Sequence, residues 1–223
     1  MTSQTHLNLV VLISGSGSNL QAIIDASEID ALPVRITAVI SNRPGVKGLL
    51  RAEQAGIETR VIDHREYPDR ISYDQALMEE IDAHDPGLVI LAGFMRILTN
   101  EFVRHYSGRM LNIHPSLLPK YTGLDTHRRA IEAGDRLHGA SIHFVTEKLD
   151  GGPLIAQAQV PIEPDDDEQR LAARVLESEH RLYPLAIRWF AEKRLMMNED
   201  GDVILDGQRL EQPVVFSTQD EIR

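Results

Sequence analysis

The sequence predicts an α/β fold: an open, mostly parallel, twisted sheet covered by helices on both faces. Three observations carry that reading. Short apolar runs alternate with segments of helical spacing through the first half of the chain. The first run, Asn8–Ile13, ends in Ser14-Gly15-Ser16-Gly17-Ser18-Asn19, and Leu20, Ile23 and Ile24 follow at helical spacing. A later run, Met110–His114, is closed by Pro115, which cannot continue a hydrogen-bonded ladder.

Taken in order, the elements are a strand at Asn8–Ile13, the glycine turn and a helix, a strand at Val34–Ile40, a helix at Gly48–Ala55 and a strand at Thr59–Ile62. A helix at Tyr73–Ala83, a strand at Leu88–Ala92, a short helix at Thr99–His105 and the strand Met110–His114 come next. Proline, glycine and polar residues from Pro115 to about Asp125 predict a mobile loop, and a helix at His127–Ala133 follows. The β-like runs Ala140–Val145 and Leu154–Val160 either pair across Lys148–Pro153 or sit at the sheet edge; the sequence does not decide between these. Asp165–Leu195 has helical spacing in Leu171, Val175, Leu182, Ala186 and Trp189, with Pro184 as a kink. Val203–Leu210 suggests a terminal hairpin with its turn near Asp200-Gly201, and residues 211–223 are expected to be loose.

At 223 residues and 42% hydrophobic composition, one compact domain over 1–223 is expected. Its phosphate-binding half would run over about 8–100 and a catalytic half over about 88–210. The polar stretch Met1–His6 does not read as a leader, and no run approaches the roughly 20 apolar residues of a membrane span. A cytoplasmic protein is expected. The absence of cysteine excludes disulfides, thiolate nucleophiles and iron–sulfur clusters. A net charge of -11 disfavours nucleic acid and anionic membranes as partners, so small molecules are the expected ligands.

Three constellations carry chemistry. The turn Gly15–Asn19 lets backbone N–H groups approach a phosphate, and the helix end adds roughly half a positive charge. Ser18 and Asn19 can add donors; the same turn also fits a purely structural role. As a dinucleotide fingerprint it lacks the third glycine, and the second strand ends in Ser41-Asn42-Arg43 rather than in an acid for a ribose. In Asn112-Ile113-His114-Pro115, alternation along the strand projects Asn112 and His114 from one face about 7 Å apart. That places an amide and an imidazole at the carboxyl end of a strand, where open α/β sheets bind ligands, although a loop-bonded His and a turn-capping Asn fit as well. Leu149-Asp150-Gly151-Gly152-Pro153 is either a plain turn or the means of holding Asp150 beside His114, where its charge favours the protonated imidazole. Arg96 follows the Gly93-Phe94-Met95 turn, and Glu179 lies between Val175 and Leu182 on an apolar helical face, where a carboxylate needs a partner. No pair among His105, His127, His138, His143 and His180 has a metal-binding spacing, so no metal is expected.

Together, VLISGSGSNL at Val11–Leu20, LAGFMRIL at Leu91–Leu98, LNIHPSLLPKY at Leu111–Tyr121 and HFVTEKLDGGP at His143–Pro153 resemble the folate-dependent formyltransferase family, over about residues 8 to 210. Within it, the turn ending in Gly17-Ser18-Asn19 points to the branch that formylates glycinamide ribonucleotide in purine synthesis. The resemblance implies a Rossmann-like fold and 10-formyltetrahydrofolate as co-substrate, with no permanently bound cofactor, no metal, and a monomer or homodimer. By motif it makes Asn112, His114 and Asp150 the catalytic trio, and Gly17, Ser18, Asn19 and Glu179 the ribonucleotide contacts. Arg70, Met95, Arg96, Ile97, Leu98 and Asn112 become folate contacts. One departure is in the loop, where the family often has Pro-Gly-Leu-His after Lys-Tyr and this chain has Thr122-Gly123-Leu124-Asp125. A dinucleotide-dependent oxidoreductase and a non-catalytic nucleotide-binding module are the competing readings.

Overall fold

A computed structural model describes residues 6–29, 32–217 and 220. The chain divides into two compact units, Met1–Leu111 and Asn112–Arg223. The fold is α/β with a mostly parallel sheet.

In the first unit the strands are β1 (Leu7–Ile13), β2 (Val34–Ser41), β3 (Thr59–Val61) and β4 (Leu88–Leu91), in the order β4-β1-β2-β3. The pairs β1·β2, β1·β4 and β2·β3 are all parallel. Leu9–Ile13 and Leu88–Ile90 are fully buried, which is why these strands read as continuous apolar runs rather than as alternating ones. The helices are α1 (Ser18–Glu28), α2 (Lys47–Gln54), α3 (Arg70–Asp82) and α4 (Asn100–His105). Asp69 caps α3 by accepting from the Ser72 N–H, and the Thr99 hydroxyl caps α4 by accepting from the Phe102 N–H.

The second unit opens within β5 (Met110–His114) and continues through α5 (Thr126–Glu132), β6 (Leu137–Phe144), β7 (Leu154–Pro161) and α6 (Glu168–Ala191). Its strands in the main sheet follow the order β11-β7-β6-β5, with β11 at Val214–Ser217. Of the two arrangements left open for the β-like runs, β6 and β7 adopt the antiparallel pair, and β6 begins three residues before Ala140, at Leu137. The helix α6 runs unbroken through Pro184 and packs on β6 and β7.

The C-terminal region departs from expectation. The apolar stretch taken as helix to Leu195 stops at Ala191, and Leu195–Met197 is instead strand β8, paired antiparallel with β9 (Val203–Leu205). Asp200-Gly201 lies in the β8–β9 connection, whereas the hairpin β9·β10 (Gln208–Arg209) turns at Asp206-Gly207, both at positive φ. Within the segment expected to be loose, Val214–Ser217 forms β11, parallel to β7, because Val214, Val215 and Phe216 are strong strand formers. Residues 218, 219 and 221–223 of that segment, and residues 1–5 of the polar N-terminus, lie outside the described residues.

Candidate active site

Pro115 ends β5 and so leaves Asn112 and His114 at its carboxyl end. Asn112 Nδ2 lies 3.1 Å from His143 Nε2 on β6. The direction of this bond follows from the other side of the ring, where His143 Nδ1 is 2.8 Å from the Phe144 carbonyl oxygen. A carbonyl only accepts, so Nδ1 carries a proton. Burial pushes the His143 pKa down, which keeps the ring neutral and leaves a lone pair on Nε2. Asn112 therefore donates to His143, and its amide is fixed with a second N–H still available to a ligand.

Gly152 makes room for this arrangement. A Cβ there would sit 1.8 Å from the Phe144 carbonyl oxygen and 3.2 Å from His143 Nδ1. Gly152 is thus a packing requirement at the end of β6 as well as part of a turn.

His114 Nε2 donates to the Tyr121 carbonyl at 2.8 Å, so this nitrogen also bears a proton. Its Nδ1 lies 3.6 Å from Asp150 Oδ2, with both side chains only 8% exposed. A proton on Nδ1 makes the contact an ion pair, whereas a lone pair there would face a carboxylate. Asp150, at φ 49, also accepts from the Gly123 N–H at 2.8 Å through the same oxygen. The loop backbone thus fixes both groups, His114 through the Tyr121 carbonyl and Asp150 through the Gly123 N–H, with the carboxylate beside the imidazole.

The loop between Pro115 and Asp125, expected to be mobile, has a dense set of internal partners. Ser141 Oγ donates to the Ser116 carbonyl at 2.6 Å and accepts from the Leu118 N–H at 3.0 Å. Gln157 Nε2 donates to the Leu118 carbonyl at 2.8 Å, and Thr126 Oγ1 to the Pro115 carbonyl at 2.6 Å. Asp125, where the family often has His, sits at φ 57 before α5 and pairs with Arg128 at 2.6 Å. That carboxylate is committed to a surface pair.

The first unit holds the glycine turn Gly15–Asn19 between β1 and α1. Gly17 precedes α1 at φ 68, and a Cβ on it would come within 2.6 Å of Gly48 Cα. Only glycine lets α2 approach this turn, where the Gly48 N–H donates to the Gly15 carbonyl at 3.0 Å. Arg51 Nε braces the same turn through the Ser16 carbonyl at 2.9 Å. Ser18 and Asn19 occupy the first two positions of α1, Ser18 half-buried and Asn19 buried.

After β4, Met95 and Ile97 stand 60% and 59% exposed, two apolar side chains in the open. The Met95 N–H donates to Ser14 Oγ at 2.7 Å. The Arg96 guanidinium carbon lies 5.5 Å from the Tyr73 ring centroid. Leu98 is half-buried, and Arg70 is exposed at the first position of α3. In the second unit, Glu179 is buried on α6 with Val175 and Leu182.

Sequence reasoning missed His143 as a partner of Asn112, and Tyr121 and Gly123 as backbone partners of His114 and Asp150. His143 does lie at the head of HFVTEKLDGGP, but a backbone donor or acceptor leaves no trace in residue type. Other histidines considered as metal ligands have protein partners: His105 Nε2 is 2.8 Å from Asp82, and His138 Nε2 is 3.1 Å from His127 Nδ1. Among the described residues no helix is long and apolar enough to cross a membrane.

Residues 7–187 match the family described as formyl transferase. The phosphoribosylglycinamide formyltransferase of Escherichia coli (strain K12) is 56% identical over 92% of this chain and 96% of its own length. That of Haemophilus influenzae is 46% identical over 91% and 95%. The solved phosphoribosylglycinamide formyltransferase of Coxiella burnetii superposes with a TM-score of 0.91 at 52% identity, covering 95% of this chain and 99% of that one. A match spanning both units, joined to an amide, an imidazole and a carboxylate at the end of β5, shows that the chain belongs to the formyl transferase family.

Proposed function

We propose that this protein transfers the formyl group of 10-formyltetrahydrofolate to the amine of glycinamide ribonucleotide, giving formylglycinamide ribonucleotide and tetrahydrofolate in purine synthesis. The observation that carries the reading is the pair of fixed contacts at the end of β5, Asn112 with His143 and His114 with Asp150.

The neutral amine attacks the formyl carbon and produces a tetrahedral centre bearing an oxyanion and an ammonium. The second N–H of Asn112 donates to the oxyanion, a contact of a kind worth about 3 kcal/mol in a transition state. His114 faces the same charge as an imidazolium and delivers a proton to the folate nitrogen as it leaves. Asp150 takes the proton lost by the amine, directly or through water. The reaction moves one proton from the amine to the folate nitrogen, and exchange between Asp150 and His114 resets both groups. No step requires electron transfer or a Lewis acid, so neither a metal nor a resident cofactor enters the scheme.

The turn at Gly17, Ser18 and Asn19 takes the ribonucleotide phosphate, and Glu179 the ribose and glycinamide end. Met95, Arg96, Ile97 and Leu98 are folate contacts, Asn112 is another, and Arg70 meets the glutamate tail. Both substrates are soluble small molecules, and the reaction belongs in the cytoplasm. The test is to mix the protein with both substrates and follow tetrahydrofolate release by absorbance. Release that depends on the ribonucleotide supports the reading; donor hydrolysis without it, or no turnover, overturns it.

A further inference from the structure

The four residues Met95–Leu98 have no regular secondary structure, yet two of them hold apolar side chains in the open. Something must hold such a segment in place if it is to present a constant surface to a ligand. At its start the anchor is Ser14 Oγ, through the Met95 N–H. At its end the Thr99 N–H donates to Asp74 Oδ2 at 2.6 Å.

Asp74 is an unusual residue to find there. It lies within α3 and is 1% exposed, and its Oδ1 has no hydrogen-bond partner among the described residues. Burial pushes its carboxyl pKa up against the opposing pull of the Thr99 bonds and the Arg70 and Arg96 charges. A half-satisfied buried carboxylate costs stability, so an apolar or amide residue would serve a merely structural helix position better. Its charge lies near Arg96, which sits in the middle of the segment over the ring of the adjacent Tyr73. One side chain thus acts on the segment twice, at the Thr99 backbone and at the Arg96 charge.

We infer that Asp74 is a positioning residue for the folate donor, holding Met95–Leu98 by its bond to the Thr99 N–H and its charge beside Arg96. This rests on the folate reading of that segment given above. It separates folate recognition from ribonucleotide recognition, because Thr99, Arg70 and Arg96, the groups that act on Asp74, all lie outside the turn at Gly17–Asn19.

The experiment compares Asp74→Ala and Asp74→Asn with the unaltered enzyme, varying each substrate in turn and recording thermal unfolding. Asp74→Ala is expected to raise KM for 10-formyltetrahydrofolate about tenfold, the loss expected of one charge-assisted hydrogen bond, with KM for the ribonucleotide changed less than about twofold. Asp74→Asn, whose amide oxygen still accepts from Thr99, is expected to recover part of that loss. If Asp74→Ala does not fold, Asp74→Ser, polar but too short to reach Thr99, takes its place with the same expectation. Equal changes in both KM values, an unchanged folate KM, or an Asn variant no better than Ala or Ser would overturn the inference while leaving the proposed reaction standing. An unaltered enzyme that does not turn over the two substrates would overturn both.

Discussion

Asn112 donates through Nδ2 to Nε2 of His143 at 3.1 Å, and the direction of that bond is set by a carbonyl on the far side of the ring. The consequence is an amide that cannot flip and that presents its remaining N–H in a constant direction. His143→Phe removes the acceptor and frees the amide to rotate. We expect kcat to fall roughly tenfold to a hundredfold with ribonucleotide affinity little changed, since an oxyanion donor acts in the transition state. Steady-state kinetics beside calorimetry checks this, and an unchanged kcat would remove His143 from the account.

Gly17→Ala tests the phosphate turn. The new Cβ meets Gly48 Cα at 2.6 Å on a backbone at φ 68, so the α1–α2 approach must open. Strain and overpacking together are expected to cost about 1–3 kcal/mol of stability and to weaken ribonucleotide binding more than folate binding. Thermal unfolding and calorimetry with each ligand alone measure the two effects. Equal losses for both ligands would mean that the turn does not hold the phosphate.

A histidine pair sets an acid limit on stability. His138 is buried against His127, and burial, with the neighbouring His127 charge, takes its pKa from 6.5 down to about 4. Asp135 opposes this shift, as does a backbone bond with Pro115, while His114 adds to it. Between those two values the unfolded chain binds more protons than the folded one, so this stabilisation is complete above about pH 6.5 and declines as pH falls toward 4. The full term is worth up to roughly 3 kcal/mol. His138→Gln is expected to flatten the fall of Tm between pH 6.5 and 4; an identical slope in both proteins would contradict the assignment.

Arg70 is exposed at the head of α3, where an ion pair contributes only about 0–1 kcal/mol. Arg70→Ala should therefore raise KM for polyglutamylated donor by up to about fivefold and leave a donor lacking the glutamate nearly unaffected, with the difference vanishing at high salt. Equal effects on the two donors would take Arg70 out of the tail site.

Legibility in the sequence followed burial and chain-local chemistry. The strands β1 and β4 were plain because strands buried on both faces read as unbroken apolar runs, and the end of β5 because Pro115 stops a ladder. The juxtaposition of His114 with Asp150 was one of two open readings of the Leu149–Pro153 turn, and only the family resemblance chose between them, since residues 36 positions apart share no local pattern. What escaped had physical reasons. The edge strand β11 alternates half-buried and exposed residues after a proline, so its apolar content is dilute. At β8 the helical apolar period of α6 runs on into Leu195, and only the Lys193 turn at φ 60 separates them. The orientation of Asn112 depends on a tautomer of His143, and that of Asp150 on a backbone N–H from Gly123; neither is a property of composition or spacing.

In the proposed reaction His114 and Asp150 act on charge that develops during formyl transfer. Single-turnover kinetics of His114→Ala and Asp150→Asn, with ribonucleotide affinity measured on the same preparations, tests it most directly. Turnover is expected to fall by about a hundredfold or more in each variant while ribonucleotide affinity stays within about threefold. Asp150→Asn is also expected to alter the pH–rate profile, because the His114 imidazole loses its anionic neighbour. Near-normal turnover in both variants, with the profile unchanged, would contradict it.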